Sequence, residues 1–187
     1  MKRIAIEGYL TQLKLSNALR KIVGDAWRGA EFPVPGSRRR WDMAFSRNGS
    51  TTVVEYDGDE HYCNTLKIKV DIEKDQKAAE MGYQVVRIPY WIQLTNETLR
   101  HYFGLEAEVV QDFLHGFITT KILPASFCAL GLQRFMREMD ALPSGVRDSV
   151  VASIRQRAQE YVIPPEVKER WLTTRRSHRR PAHRVPR

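Results

Sequence analysis

The chain has 187 residues, 42% of them hydrophobic and 10% aromatic, so it is long and apolar enough to fold around a core as one domain, or one domain with a small appendage. Its formal net charge is +8, and no apolar run approaches the roughly 18 to 20 residues of a membrane span, so we expect no membrane partner. With no signal peptide expected and only two distant cysteines, Cys63 and Cys128, we expect free thiols in the cytoplasm rather than a disulfide framework or a metal motif.

The first half of the chain predicts a mixed α/β core. The expected elements are a helix over residues 4–23, strands over 41–45 and 51–56, a helix over 71–81 and a strand over 83–89. Gly24 and Gly82 are typical of helix ends, and Asn48–Gly49 is typical of a tight turn between antiparallel strands. This order of helix, hairpin, helix and strand predicts a central mixed sheet flanked by helices.

The second half of the chain predicts helices only. They are expected over residues 96–103, 105–117, 130–142 and 144–161, followed by a short helix from 164 to 171. Methionine and aromatic residues recur at helical spacing in this half, which most simply indicates a buried face. The predicted organisation is a core over residues 1–92, an all-helical accessory region over 93–172 and a basic tail over 173–187 that is disordered when free.

The tail holds most of the excess positive charge. Residues 174–187 contain six arginines and no acid, which leaves a net charge of +2 for residues 1–173. The densest part of the tail contains Arg175, Arg176, Arg179 and Arg180. Such a tail either binds a polyanion such as DNA, releasing counterions, or keeps the protein soluble, and the composition leaves both interpretations open.

The stretch from Val53 to His61 carries the strongest chemical signal. It begins as an apolar strand, and the period of two places Glu55 and Asp57 on the same face. Pairing across the Asn48–Gly49 turn brings Asp42 opposite Glu55, with Cβ atoms about 5 Å apart. Three carboxylates gathered on one buried face repel each other unless a cation lies between them, and Mg²⁺ prefers such oxygen ligands. The alternative is a solvated acidic turn.

A metal ion held by carboxylates, with open coordination positions, suits phosphodiester hydrolysis. Such an ion binds a phosphate oxygen, lowers the pKa of bound water and stabilises the departing oxygen. His61 follows the acidic residues closely and could exchange a proton as a general acid or base. A structural hydrogen bond is the other interpretation of His61.

The order and spacing of four motifs resemble the PD-(D/E)XK nucleases, in particular the branch that includes very-short-patch-repair endonucleases and restriction-endonuclease-like proteins. The motifs are Asp42, then the Glu-x-Asp-Gly-x-x-His stretch at 55–61, then Asp71-Ile-Glu-Lys74 at a helix start and Gly82-Tyr-Gln-Val-Val-Arg87 on a strand. The resemblance covers residues 1 to about 92. It implies a restriction-endonuclease-like core that cleaves DNA with Mg²⁺, for which Mn²⁺ is the expected substitute.

The resemblance also implies roles for individual residues. Asp42 and Glu55 would be metal ligands, and Asp57 would join them at the position where the wider superfamily has a lysine. Lys74, one turn into the next helix, is our candidate for a migrated lysine, with Lys69 and His61 as rivals. Trp41 stands before Asp42 where the family has proline, and Glu7 stands where family members often add an acid near the metal, although it also suits an ordinary helix start.

Basic residues outside the tail are candidate DNA contacts. Arg38, Arg39 and Arg40 lead into the strand that carries Asp42 and would contact the DNA backbone, or would form a solvated loop. Arg87 points away from its apolar neighbours on the predicted strand, towards an ion pair with an acid such as Asp71 or towards a phosphate.

The sequence therefore favours a metal-dependent DNA endonuclease, either a restriction enzyme or its cleavage subunit. The alternatives are a repair nicking enzyme of the very-short-patch type, a DNA-binding protein that keeps the nuclease fold without catalysis, and a helical protein-interaction module with an incidental acidic cluster. The helical region would recognise DNA, form a homodimer or contact a partner subunit. No Gly-rich phosphate-binding loop is present, which argues against a self-contained translocating enzyme.

Overall fold

A two-residue turn at Asn48–Gly49 organises the sheet. Both residues have positive φ values, 52° and 77°, as a turn matched to the twist of two antiparallel strands requires. The pairing runs from Arg47↔Ser50 to Met43↔Val54, which is the register expected from the sequence. The hairpin prediction is confirmed.

The computed structural model describes residues 2–114, 116–117, 123–157 and 162–173. The strands are β1 (Arg3–Ile6), β2 (Trp27–Pro33), β3 (Arg40–Arg47), β4 (Ser50–Asp57), β5 (Gln84–Pro89) and β6 (Glu108–Gln111). The helices are α1 (Gln12–Val23), α2 (Glu60–Cys63), α3 (Thr65–Glu80), α4 (Asn96–Phe103), α5 (Ala129–Ala141), α6 (Ser144–Arg157) and α7 (Pro165–Val167), which continues as a π-helical turn over Lys168–Leu172.

The central sheet is mixed, as predicted. Its strand order is β2-β3-β4-β5, with antiparallel pairs on both sides of β3 and a parallel pair between β4 and β5. The parallel register places Glu55 opposite Arg87 and Asp57 opposite Pro89. Since parallel neighbours end at the same edge, the polar ends of β4 and β5 meet there.

Helices cover both faces of this sheet. On one face, Met43 and Val54 join a core that includes Leu15 of α1 and continues to Trp91 and Phe135. The other face has a smaller cluster, in which Ala44 and Val53 pack with Ala78 of α3. Within the described residues, every helix is too short or too polar to cross a bilayer.

The predicted helix over 4–23 is wrong in its first part. Ile4 and Ile6 alternate inwards along β1, and the helix begins only after Thr11, whose side chain accepts the Lys14 N–H at 3.3 Å. β1 pairs in parallel with β6, so the predicted helix over 105–117 is also wrong, and the region after residue 92 is not entirely helical.

Helix boundaries elsewhere follow local capping. α3 begins six residues before the predicted start because Asn64 accepts the N–H groups of Leu66 and Lys67. The predicted helices over 96–103 and 130–142 are confirmed within one residue. α6 is described to Arg157, and residues 158–161 of its predicted span lie outside the described part of the chain.

Candidate active site and a buried ion-pair network

Asp42 lies where strands β3 and β4 stop pairing. The regular ladder reaches Met43↔Val54, and beyond it the Tyr56 main-chain N–H donates to Oδ2 of Asp42 at 2.7 Å. A carboxylate thus accepts a hydrogen bond that a strand carbonyl would otherwise accept. The Tyr56 hydroxyl donates to the Leu10 carbonyl at 2.9 Å, which ties this end of β4 to the segment before α1.

Glu55 occupies the neighbouring strand and is almost completely buried, with 3% of its surface exposed. Burial raises the pKa of its carboxyl to about 7, against the opposing effect of Lys74. The Lys74 ammonium reaches from α3 and forms an ion pair with Oε1 of Glu55. It also donates to the Arg40 carbonyl at 2.6 Å. The structure therefore brings Lys74 to the acidic pair, whereas Lys69 is exposed.

Asp42 and Glu55 interact electrostatically, and a third acid adjoins them. Burial raises the pKa of Asp42, with the Tyr56 N–H and Lys74 opposing this effect and the charges of Asp57 and Glu31 adding to it. Glu31 lies in β2. The residues on either side of Glu31 pair with the residues on either side of Asp42 in β3, and the φ of Glu31 is 51°. Glu31 is not among the site residues predicted from the sequence, because no strand was predicted where β2 lies.

Asp57, which we predicted as a third metal ligand beside this pair, forms ion pairs with other side chains. Its side chain is fully buried, and Oδ1 lies 2.8 Å from Arg87 and 3.0 Å from His61. Its Oδ2 forms an ion pair with Arg134 of α5. Two guanidinium groups already provide the compensating charge that we had assigned to a metal ion.

His61 and Asp71 complete the buried network. The His61 Nδ1 atom lies 2.6 Å from Oδ2 of Asp71, and Arg134 donates to the same oxygen at 3.1 Å. Burial by itself would raise the pKa of Asp71, but the His61 hydrogen bond and the charges of Arg87 and Arg134 outweigh burial and lower it. His61 is 12% exposed and bound on its Nδ1 side, which supports the structural interpretation of this histidine.

Arg134 is the residue of this network that sequence reasoning missed. It lies on the helix predicted over 130–142, and only 5% of its surface is exposed. A Cβ atom at Gly131 would lie 1.7 Å from the Tyr62 carbonyl oxygen, so only glycine allows α5 to approach α2 this closely. The Arg134 guanidinium then lies 5.0 Å from the Tyr62 ring centre, and its Nε donates to Glu138 at 2.7 Å.

Two places on the molecule could attract a metal ion. Asp57, His61 and Asp71 are the one group of three or more potential ligands in the described residues whose ligand atoms lie within 4.8 Å of one another. Their oxygens already accept from Arg87 and Arg134, so a divalent ion there would meet two positive charges.

The Asp42–Glu55 pair fits a hard divalent ion better. Its two carboxyl groups are largely desolvated and have raised pKa values, so a cation would relieve their mutual repulsion. Mg²⁺ is commonly held by one or two carboxylates, with water or phosphate oxygens at its other positions. Lys74 is the single side-chain cation that contacts Glu55 in the described part of the chain.

Glu7 and Arg87 are two further residues that we predicted for the site. Glu7 is exposed just after β1, so a metal-binding role for Glu7 gains no support. Arg87 is held in ion pairs with Asp57 and Asp75, which agrees with the ion-pair interpretation rather than a phosphate contact.

The basic loop before β3 is exposed and lies beside the candidate site. Arg39 forms an ion pair with Glu73 of α3 at 2.6 Å, and Arg40 donates to the Glu31 carbonyl at 3.0 Å. Arg38 is exposed in the same loop. The tail residues Arg175, Arg176, Arg179 and Arg180 lie outside the described part of the chain.

Comparison with known proteins gives no match to this chain. No family model matches it, and neither does any curated protein or solved structure. A functional role for this chain therefore has to be argued from the side-chain geometry around Asp42, Glu55 and Lys74.

Proposed function

We propose that the chain is a divalent-metal-dependent DNA endonuclease with a restriction-endonuclease-like core. The observation that carries the proposal is the meeting of Asp42, Glu55 and Lys74 at the end of the β3–β4 hairpin. Restriction, as an enzyme or a cleavage subunit, is the proposed setting, and repair nicking of the very-short-patch type is the alternative. A DNA-binding protein without catalysis would retain the same fold.

The proposed reaction assigns a separate task to each residue. Asp42 and Glu55 would hold Mg²⁺, which supplies Lewis-acid stabilisation of phosphate charge and a more acidic bound water. The Tyr56 N–H fixes the Asp42 carboxylate at the strand edge, so its orientation is set before substrate binds. Lys74 lies in contact with Glu55 and would stabilise the negative charge that develops on the phosphoryl oxygens.

A basic surface next to Lys74 supports a nucleic-acid substrate. A pocket of about 300 Å³ lies between the loop before β3 and helix α3, and its lining includes one acid, Glu73, and three cations, Arg39, Lys74 and Lys77. Side chains of this kind contact backbone phosphates without reading the base sequence. The phosphate contacts that we propose would position a DNA strand alongside the carboxylate pair.

Cleavage of supercoiled plasmid with Mg²⁺ tests the proposal. We expect the full chain to nick or linearise plasmid, Asp42→Asn and Glu55→Gln to lose cleavage while retaining DNA binding in a mobility-shift assay, and Glu80→Gln to cleave normally. Glu80 is a suitable control because it is an exposed acid on α3 that pairs with Lys77. DNA binding without cleavage under Mg²⁺ or Mn²⁺ would favour the non-catalytic alternative, and absence of both binding and cleavage would overturn the proposal.

A further inference from the structure

Cys63 and Cys128 are far apart in the sequence but are neighbours in the fold. Cys63 is the last residue of α2, and Cys128 directly precedes α5. The Cys128 main-chain N–H donates to the Tyr62 carbonyl at 3.0 Å. Because this carbonyl belongs to the peptide bond between Tyr62 and Cys63, the hydrogen bond connects the main chains beside the two cysteines. Both cysteines are free thiols in the structure.

The separation of the two main chains suits a disulfide bond. Standard bond lengths added to this hydrogen bond place the two Cα atoms no more than about 7 Å apart, and the Cα atoms of a disulfide are usually about 4.4–6.8 Å apart. The residues that precede the cysteines also meet, since the Tyr62 and Phe127 rings stack with their centroids 4.9 Å apart. Two cysteines in these positions can be bridged without rearranging the helices beside them.

The two sulfur atoms are close to each other and accessible to solvent. Desolvation raises the pKa of Cys63, and the charges that raise it further are, in decreasing order of effect, those of Asp59, Cys128 and Glu60. Cys128 thus acts on Cys63 more strongly than Glu60 does, although Glu60 lies on the same short helix as Cys63. Cys63 is exposed and Cys128 is partly exposed, so a dissolved oxidant can reach both thiols.

A bond between these cysteines would join the two helices that meet at the buried ion-pair network. His61 of α2 and Arg134 of α5 both contact Oδ2 of Asp71. α5 belongs to the region after residue 92, whereas α2 follows directly on the strand that carries Glu55. A covalent link here would therefore hold the C-terminal helices against the sheet through the contact that Arg134 already makes.

We propose that Cys63 and Cys128 are an oxidative modification site, at which a peroxide converts the two thiols into a disulfide that joins α2 to α5. One sulfur attacks a peroxide oxygen, the O–O bond breaks, and a sulfenic acid and, from hydrogen peroxide, one water form. The second sulfur attacks the sulfenic sulfur, so the S–S bond forms and the oxygen leaves as a second water. The two thiols lose two electrons and two protons, and the peroxide is reduced.

Cys128 is the thiol that reacts first in this scheme. The thiolate is the nucleophile, and the raised pKa of Cys63 leaves less thiolate at that position near neutral pH. Cys63 then acts as the resolving thiol, for which proximity to the sulfenic acid matters most. The modification does not depend on the nuclease proposal, because it is measured without DNA or metal ion.

Peptide mapping by mass spectrometry tests whether the bond forms. The dilute full chain is treated with hydrogen peroxide, alkylated and digested without reductant. Since the sequence contains two cysteines, an intramolecular disulfide has a single possible pairing. We expect a monomer whose thiols resist alkylation and a cross-linked peptide that contains Cys63 and Cys128. Disulfide-linked dimers alone, separate sulfinic acids on the two cysteines, or two alkylated thiols would each overturn the proposal.

Equilibration with glutathione tests whether the fold itself favours the bond. In mixtures of reduced and oxidised glutathione, the folded chain should form the disulfide at least about tenfold more readily than the chain unfolded in urea. By linkage, oxidation should lower the equilibrium constant for unfolding by the same factor. Equal or weaker disulfide formation in the folded chain would show that the fold does not favour a bond between these thiols, and would contradict the proposal.

Serine variants connect the change in stability to the two cysteines. Cys63→Ser changes an exposed side chain, and Cys128→Ser keeps an oxygen for the Gly131 N–H, which the Cys128 sulfur accepts at 3.4 Å. Both variants should fold, and peroxide should leave their unfolding equilibrium unchanged. In the wild type, dithiothreitol should reverse the effect of peroxide. Stabilisation of either variant by peroxide would assign the effect to another oxidised group and overturn the proposal.

Discussion

Lys74 of α3 forms an ion pair with Glu55 of β4, although 18 residues separate them in sequence. The resemblance to PD-(D/E)XK nucleases implies a lysine two residues after the glutamate, where this chain has Asp57. Asp57 is instead buried against Arg87 and Arg134. Lys74 of α3 thus places next to Glu55 a positive charge that no lysine of β4 provides.

Replacing Lys74 tests whether this lysine on α3 takes the role of the strand lysine that the resemblance implies. Lys74→Met should lower the cleavage rate on plasmid DNA by about 10²–10³-fold, since one charged donor to a developing oxyanion typically contributes this much. Lys69→Met is the matched control, because Lys69 is an exposed lysine on the same helix and does not line the pocket between α3 and the loop before β3. Equal rates for the two variants would remove Lys74 from the proposed mechanism.

Glu55 should make the metal-free protein less stable as the pH rises. Its folded-state pKa of about 7 exceeds the ordinary value of 4.5, so the folded state binds this proton more tightly than the unfolded state. Stability from the protonated carboxyl is present below pH 4.5 and is lost as the pH rises through 7. Glu55→Gln should therefore raise the free energy of unfolding by about 3 kcal/mol at pH 8 and by little at pH 4.5.

Urea denaturation in the presence of a chelator measures this difference. The control is Glu80→Gln, which changes an exposed carboxyl and should leave the free energy of unfolding within about 0.5 kcal/mol at both pH values. A Glu55→Gln protein that is less stable than the wild type at pH 8 would show that the Lys74 ion pair outweighs the desolvation of Glu55.

The affinity for a metal ion should increase as the pH rises, whereas the stability of the metal-free protein should decrease. Asp42 and Glu55 have raised pKa values because they are buried, and a metal ion binds the ionised carboxylates. Below pH 7 the apparent Mn²⁺ affinity should fall about tenfold per pH unit as protons compete at Glu55. Isothermal titration calorimetry at pH 6, 7 and 8 would measure it, and an affinity independent of pH would mean that the ion binds elsewhere.

The hairpin and its acidic pair could be predicted because their signals are local. Asn48–Gly49 fixes the turn, and a period of two then sets which side chains meet, so Asp42 is found beside Glu55. The pairing of β1 with β6 could not be predicted in this way. Residue Arg3 is opposite Glu108, and four-residue strands carry too little pattern to show a partner more than 100 residues away.

The ion pairs of Asp57 could be predicted only in part, because the sequence indicates an ion pair for Arg87 but not the contact with Arg134. The position of Asp57 on the strand was predicted correctly, but its function depends on which cation reaches it. Arg87 comes from a parallel neighbour, and Arg134 comes from a helix 77 residues later. A carboxylate that will bind a metal and one that will bind two arginines look alike until the helices are packed.

Asparagine substitutions should separate these two kinds of carboxylate. Asp57→Asn removes one of the two carboxylates that Arg87 and Arg134 share, the other being Asp71, and breaking such a buried pair typically costs about 3–5 kcal/mol. Asp42→Asn keeps an oxygen that can accept the Tyr56 N–H. It also removes a carboxyl group that burial disfavours in its ionised form, since burial raises the pKa of Asp42. The free energy of unfolding of this variant should therefore remain within about 1 kcal/mol of the wild-type value. Urea denaturation at pH 7 measures both variants.

The Mn²⁺ affinities of the same two variants should show the reverse pattern. Asp42→Asn should lose most of the binding, whereas Asp57→Asn, at temperatures where it remains folded, should bind nearly as well as wild type. If Asp57→Asn instead kept its stability and lost the metal, the ion would belong to Asp57, His61 and Asp71. Since each carboxylate oxygen that already accepts from a guanidinium group offers less electron density to a cation, we expect the ion at Asp42 and Glu55.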